Sequence, residues 1–404
     1  MSVKENFIEV KKNIYSGAET AAININNIRR KILYNMRNAD REQFLNFLFS
    51  KNFLILIIIL IVCIMFYYFY YWSAILRIPR MLRNFDSIIN LVNPKPFSGC
   101  NIDLDKFRLC DFYVASSSKS YLIGQQTSDY VSKNALTKVI QSGARMIELD
   151  IFNETFDEYT EPIVANGIEE GRFLETYNYI TFEECCKTLS ECAFSRILIS
   201  NSSDPLFLYL NLHVNGNLKT LDRVAEIITS YFGGSNDKLL PMCYSYQKIN
   251  IPQTKLKNLF GKIVILASPG FKNSKLDELV NYSPEKYYMR KYSYDEIENA
   301  YEPNEITNFN KRYITIVDAE DDIASINKSP SLPWSYGCQF VGMNYQSEDM
   351  GLFEYLKKFN DYSFSLKPEE LRYKPLLYKA PKKQNKKVSL SNMELSTPFY
   401  KAKI

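Results

Sequence analysis

Two stretches bring together side chains that can do chemistry. One is Ala115-Ser-Ser-Ser-Lys-Ser-Tyr-Leu122, and the other is Arg145-Met-Ile-Glu-Leu-Asp150. The second reads as a buried strand ending in two acids. Side chains alternate faces along a strand, so Glu148 and Asp150 lie on the same one. Two carboxylates side by side can share a cation or simply hydrogen-bond at a strand end. Hard cations need several oxygens, and two charged ones are few. The chain of 404 residues has one histidine, His213. Histidine is the usual acid and base near neutral pH, so this scarcity limits proton-transfer chemistry. The 8 cysteines have no metal-type Cys-x-x-Cys spacing and read as ordinary thiols.

The elements that must position these groups follow from the pattern. Arg145–Phe152, Asp204–His213, Gly261–Ala267, Tyr313–Val317, Cys338–Tyr345 and Tyr362–Leu366 read as strands. Between them lie helices. One is capped at Thr127 or Ser128 and stopped by Gly143, one is opened by the capping-box pattern Thr181-Phe-Glu-Glu184, and one starts at Thr220. Strands alternating with helices predict a mostly parallel sheet. The globular part is expected to begin near Cys100.

Ahead of it, Phe53–Leu76 is uncharged and long enough to cross a bilayer as one helix. Its aromatic second half, Phe66–Trp72, resembles an interfacial belt. Basic residues flank both sides, so charge alone leaves the orientation open. The competing reading, a buried core helix, conflicts with so long an apolar run. Residues 1–52 form a polar segment with short helices expected at Ile23–Met36 and Glu42–Phe49. Residues 77–98 are a juxtamembrane linker broken by Pro94 and Pro96, 99–374 the globular domain, and 375–404 a basic disordered tail with Lys379, Lys382, Lys383, Lys386 and Lys387. That tail either touches anionic lipid or is simply solvated. A net charge of +4 gives no argument for nucleic acid. Asn-x-Ser/Thr sites at Asn153, Asn201, Asn281 and Asn327 are expected by chance in so Asn-rich a chain.

The two opening stretches resemble the X region of eukaryotic phosphoinositide-specific phospholipase C. That family reads Ser-His-Asn-Thr-Tyr-Leu, then Arg-x-Ile/Val-Glu-Leu-Asp. Ile180-Thr-Phe-Glu-Glu…Ala193-Phe194, Pro205–His213 and Leu259-Phe-Gly-Lys-Ile-Val-Ile265 resemble later X-region segments. Asn327-Lys-Ser-Pro-Ser-Leu-Pro-Trp334, Gly337-Cys-Gln-Phe-Val-Gly-Met-Asn-Tyr-Gln346 and Leu366-Lys-Pro-Glu-Glu-Leu-Arg372 are similar to the Y region. The resemblance covers about Leu109 to Arg372. It implies the distorted (β/α)₈ TIM barrel of these lipases, here preceded by a single transmembrane helix, with the barrel on the cytosolic side.

It also implies a chemistry: two histidines move protons while calcium, held by carboxylates, lowers the pKa of the attacking hydroxyl. Position by position the match fails. Ser118 and Asn166 stand where the histidines belong. Of the calcium ligands Glu148 and Asp150 remain, while Lys119 and Asn211 replace two others. The Lys119 ammonium is expected near the ion position, paired with Glu148 or Asp150. Leu266, Thr315 and Val317 fall on substrate-binding positions, and Ser293 corresponds to a substrate serine. The expectation is a membrane-anchored pseudoenzyme with no cofactor, binding a protein or a phosphoinositide headgroup. Two rivals stay open. One is an active, calcium-dependent phosphodiesterase with a rewired site, and the other a structural subunit of a membrane complex.

Overall fold

The computed structural model describes residues 24–28, 51–153, 161–168, 173–320, 325–375 and 394–403. Residues 24–28 are helical, while Glu42–Phe49 and the tail's Lys379, Lys382, Lys383, Lys386 and Lys387 lie outside the described residues. The described end of the tail is not disordered but an antiparallel hairpin of Glu394–Ser396 with Lys401–Lys403. The chain divides into two compact units, Met1–Arg77 and Ile78–Ile404. Helix α1, Lys51–Leu91, continues past the expected end of the apolar run and contains Pro79. Its portion Lys51–Phe69 is long and apolar enough to cross a membrane, and its described side chains are almost all exposed.

The second unit begins well before Cys100. Phe85, Ile88, Val92 and Phe97 are buried in it. The backbone amides of Asn93 and Lys95 donate to Asn360 and Asp361 carbonyls. Apolar residues on the last turns of α1 and just after it therefore serve the globular core. Each such side chain stabilises by about 1.5–3 kcal/mol on full burial.

The sheet is built from β1 (Phe112–Ser117), β2 (Met146–Asn153), β3 (Pro162–Val164), β6 (Ile180–Thr181), β7 (Leu206–His213), β8 (Ile263–Ala267), β9 (Met289–Ser293), β10 (Ile314–Asp318), β11 (Phe340–Met343) and β12 (Phe364–Leu366). A separate hairpin pairs β4 (Gly167–Ile168) with β5 (Phe173–Leu174). Parallel pairing runs β8–β7–β2–β1–β11–β10–β9. Tyr282 adds a parallel bridge to Leu266 beyond β8. Eight strand positions in this order define an α/β fold with a curled parallel sheet of TIM type. β12 is antiparallel to β1, lying beside Phe112–Val114, while β2 pairs higher up at Ser116 and Ser117.

Helices α2 (Lys133–Gln141), α3 (Phe182–Cys192), α4 (Leu218–Phe232), α5 (Pro303–Asn310) and α6 (Met350–Lys358) cover the sheet. Two begin elsewhere than expected. The cap of α2 is Ser132, whose side chain accepts from the Asn134 amide. Ser128 instead has φ of +55°, a turn conformation that cannot start a helix. The cap of α4 is Asn217, which accepts from Lys219 and Thr220. Thr181 caps α3 as its pattern implies. Gly143, at φ +93°, ends α2 in the left-handed region that glycine tolerates.

The registers place one set of side chains inside. Val114 pairs with Phe340, Ile316 with Phe340, Ile314 with Met289, and Phe207 with Val264. These residues belong to one buried apolar cluster, joined by Phe97, Leu109, Ile251 and Leu256. It fills the half of the interior nearest the strands' N-terminal ends. Thr315 and Val317 alternate with Ile314 and Ile316, so they face outward. Thr315 Oγ1 donates to Asn310 instead. Leu266 is buried in the apolar cluster.

Candidate active site

Two to four residues further along β1, β2, β7, β9 and β10, the same inward face turns polar. Ser116 follows Val114, Glu148 and Asp150 follow Met146, Asn211 and His213 follow Tyr209, Lys291 follows Met289, and Asp318 follows Ile316. Alternation thus carries all these groups to the C-terminal end of the interior, where barrels of this architecture hold their sites.

Glu148 is buried and has donors on both oxygens. Oε2 accepts from Ser118 Oγ at 2.8 Å and from the Lys119 amide at 3.3 Å. Oε1 accepts from Lys291 Nζ at 3.1 Å. Lys291 Nζ also lies 2.6 Å from Asp318 Oδ2 and 4.7 Å from the centre of the Tyr209 ring. Burial works against the Lys291 charge, but the facing Glu148 and Asp318 carboxylates outweigh it and hold its pKa well above the ordinary lysine value. Burial and the Glu148 charge push Asp318 up to about 7, against the pull of Lys291. One ammonium among these carboxylates leaves negative charge in excess, which is why lysine and aspartate are both raised.

Asp150 is equally encumbered. Oδ2 accepts from Tyr121 at 2.6 Å, while Oδ1 accepts from Asn211 at 2.6 Å and contacts His213 Nε2 at 2.9 Å. Burial would raise its pKa, yet His213, the Lys119 charge and Tyr121 together hold it well below the usual carboxylate range. The His213 ring stacks on Phe152 at 4.6 Å, fixing its orientation.

Ser118 and Asn166 are both buried and bonded. Asn166 accepts from Lys119 Nζ at 2.9 Å and donates to the Gln126 carbonyl and to Glu175. Lys119 Nζ also donates to Gln126 Oε1 at 3.0 Å. Its backbone has φ of +40°, which asparagine adopts far more readily than lysine. Gly342 lets this segment approach β11, since a Cβ there would lie 3.1 Å from Ser118 Cβ. The ammonium paired with Glu148 comes from Lys291, which sequence reasoning missed together with Asp318 and Tyr121. Lys291 and Asp318 carried one weak signal, a charge two residues beyond an apolar strand position.

A cleft of about 540 Å³ opens beside these groups, lined by Lys291, Ser293, Asp295, Glu296, Asp318 and Glu320. Ser293 has a structural role there. Its hydroxyl accepts from the Glu296 amide while the Glu296 carboxylate accepts from its own amide, a capping box for the short helix Tyr294–Glu298. The motif residues downstream tie the scaffold together. Asn327 and Asn344 exchange bonds between side chain and backbone, Gln339 Nε2 donates to the Asn310 and Tyr313 carbonyls, and the buried Lys367 donates to Asn310. Asn201, Asn281 and Asn327 are buried and hydrogen-bonded, so these glycosylation triplets serve the fold.

This donor set does not fit a calcium ion. Both Asp150 oxygens and both Glu148 oxygens already accept from protein groups. Among the described residues, no three His, Cys, Asp or Glu side chains are grouped to hold a metal. Calcium takes six to eight oxygens.

Comparison with known proteins agrees with this architecture. The model of the "Phosphatidylinositol-specific phospholipase C, X domain" family matches residues 106–269. The 1-phosphatidylinositol 4,5-bisphosphate phosphodiesterase beta-1 of Bos taurus is 25% identical, covering 65% of this chain and 28% of the relative. Phosphoinositide phospholipase C 6 of Arabidopsis thaliana is 30% identical over 31% of this chain and 18% of its own. The crystal structure of S. officinalis PLC21 superimposes with a TM-score of 0.55 at 22% identity, over 66% of this chain and 38% of that one. With the curled parallel sheet and the strand-end carboxylates in place, residues 106–269 match this X-domain family, and the chain is similar to eukaryotic phosphoinositide-specific phospholipases C. It spans well under half the length of these relatives.

Proposed function

We propose that this protein is a membrane-anchored phospholipase C-like barrel that binds without turning over a phosphodiester. One observation carries the reading. The resemblance puts proton-transferring histidines at Ser118 and Asn166, and both side chains are consumed by internal hydrogen bonds to Glu148, Lys119, Gln126 and Glu175. Neither a serine hydroxyl nor a carboxamide ionises near neutral pH, so neither replaces a histidine as general acid or base. Losing one general acid or base typically costs about 10²–10⁴-fold in rate. The apolar part of α1 anchors the protein in the bilayer, with the barrel on the cytosolic side.

The ligand class to test first is the phosphoinositide headgroup, which the names of the relatives point to. Four carboxylates against Lys291 line the cleft, so a polyanionic headgroup meets more repulsion than attraction there. We expect such binding to be weak and to leave a protein partner as the stronger ligand.

The deciding experiment is an assay of the purified full chain on vesicles containing phosphatidylinositol 4,5-bisphosphate, with and without calcium. The expected result is no release of inositol phosphate above background. One arrangement favours the rival, an active divergent enzyme. His213 against Asp150 is a histidine–carboxylate pair at the strand ends, with the His213 side chain 21% exposed. Turnover abolished by His213→Gln would establish that rival and end the pseudoenzyme reading.

A further inference from the structure

We infer that the Lys291 ammonium is the resident cation of this site, standing in for a divalent ion and excluding one. Three groups converge on Nζ from three other strands: Glu148 of β2 at 3.1 Å, Asp318 of β10 at 2.6 Å, and the Tyr209 ring of β7 at 4.7 Å. Glu148 and Asp318 lie on strands separated by β1 and β11 in the pairing order, so the ammonium links them across the interior.

The two carboxylates define the need for positive charge. Glu148 is 2% exposed and Asp318 24%. Both lie where their like charges repel in a poorly hydrated space. A metal ion neutralises such a pair by direct coordination. An ammonium does it with three N–H donors and a face-on aromatic ring. Lysine's four-carbon stem reaches the spot from β9 while Met289 below it joins the apolar cluster.

Asp150, the other surviving acid, is hydrogen-bonded separately by Tyr121 and Asn211 and contacts His213. Glu148 and Asp150 therefore have protein donors on both oxygens. Asp318 shares Lys291 through Oδ2 while its Oδ1 has no partner among the described residues, and a divalent ion has to displace Lys291 to enter. This makes the barrel's stability indifferent to calcium. It is separable from the proposed lack of turnover: a calcium-binding but inactive barrel contradicts only the inference, and a calcium-blind but active one contradicts only the function.

The test is thermal unfolding and calorimetric titration of the full chain in detergent, with millimolar calcium chloride or magnesium chloride. The wild type is expected to unfold at one temperature in both salts and in chelator, with no heat of binding. Lys291→Met is expected to lower that temperature by on the order of 5–10 °C, because it leaves two facing carboxylates uncompensated. The double variant with Asp318→Asn is expected to recover much of the loss, since one of the two charges is gone. Should Lys291→Met not fold, the double variant and the wild-type titration still decide. Calcium raising the wild-type unfolding temperature, or Lys291→Met matching the wild type, overturns the inference.

Discussion

The interior of this barrel is two chambers built from the same strands. Towards the N-terminal ends of the strands, Phe112, Val114, Met146, Phe207, Ile314 and Phe340 interdigitate. Phe207 and Phe340 meet edge-on at 5.0 Å. Further along the same inward faces lie Glu148, Asp150, Asn211, His213, Lys291 and Asp318. The first chamber is held by burial, which tolerates small shifts. The second is held by directional bonds between charged and polar groups, where Lys291 serves Glu148 and Asp318 at once and removing one group strands another. Scaffold and site are thus separable in this chain: one layer can keep its shape while the other changes its chemistry.

Breaking the apolar chamber should have the largest effect. Phe207→Ala removes a fully buried ring and is expected to cost about 3–5 kcal/mol, read as a lower denaturant midpoint at unchanged slope. A loss under 1 kcal/mol would mean the lower layer is looser than its contacts indicate.

The polar chamber should show itself through pH. Asp318 is raised in the folded state, to about 7. Between the ordinary aspartate pKa and that value the folded protein holds a proton that the unfolded chain has released. Stability therefore falls as pH rises through this window, by up to about 1.4 kcal/mol per pH unit. Asp150 is lowered, so its contribution is present above the ordinary aspartate pKa and lost as pH drops through its depressed folded value. Unfolding temperatures between pH 4 and 8, for wild type and Asp318→Asn, check this. The variant is expected to flatten the decline, and an unchanged slope would assign it to another group.

The smallest effect should come from the cleft's edge. Ser293→Ala removes a helix cap and is expected to cost about 0.5–1 kcal/mol while leaving vesicle retention unchanged. A marked drop in retention of phosphoinositide vesicles would return Ser293 to a ligand-contacting role.

What could be read from the sequence divides along the same line. The strands of the apolar chamber were legible because their alternation is hydrophobic, and Glu148 and Asp150 were legible because they end such a strand. β9 was not. In Met289-Arg-Lys-Tyr-Ser293 the inward positions are Met289, Lys291 and Ser293, so the site's own chemistry erases the apolar pattern that marks a strand. Asp318 sits one residue beyond the expected end of β10 for the same reason. The α2 and α4 starts shifted because several Ser, Thr and Asn residues competed for each cap, and backbone conformation chose among them. The Lys119 amide meets Glu148, but its ammonium bonds to Gln126 and Asn166 depend on loop conformation that no local spacing encodes.

Parallel pairing runs from Tyr282 through β8, β7, β2, β1, β11 and β10 to β9, and among the described residues no ladder bond joins Tyr282 to β9. The chain crosses that gap in residues 283–288 without a helix. A cut there severs no strand pairing, so the two halves expressed as separate polypeptides should find each other and reassemble, making this junction the natural place to split the protein for a proximity reporter.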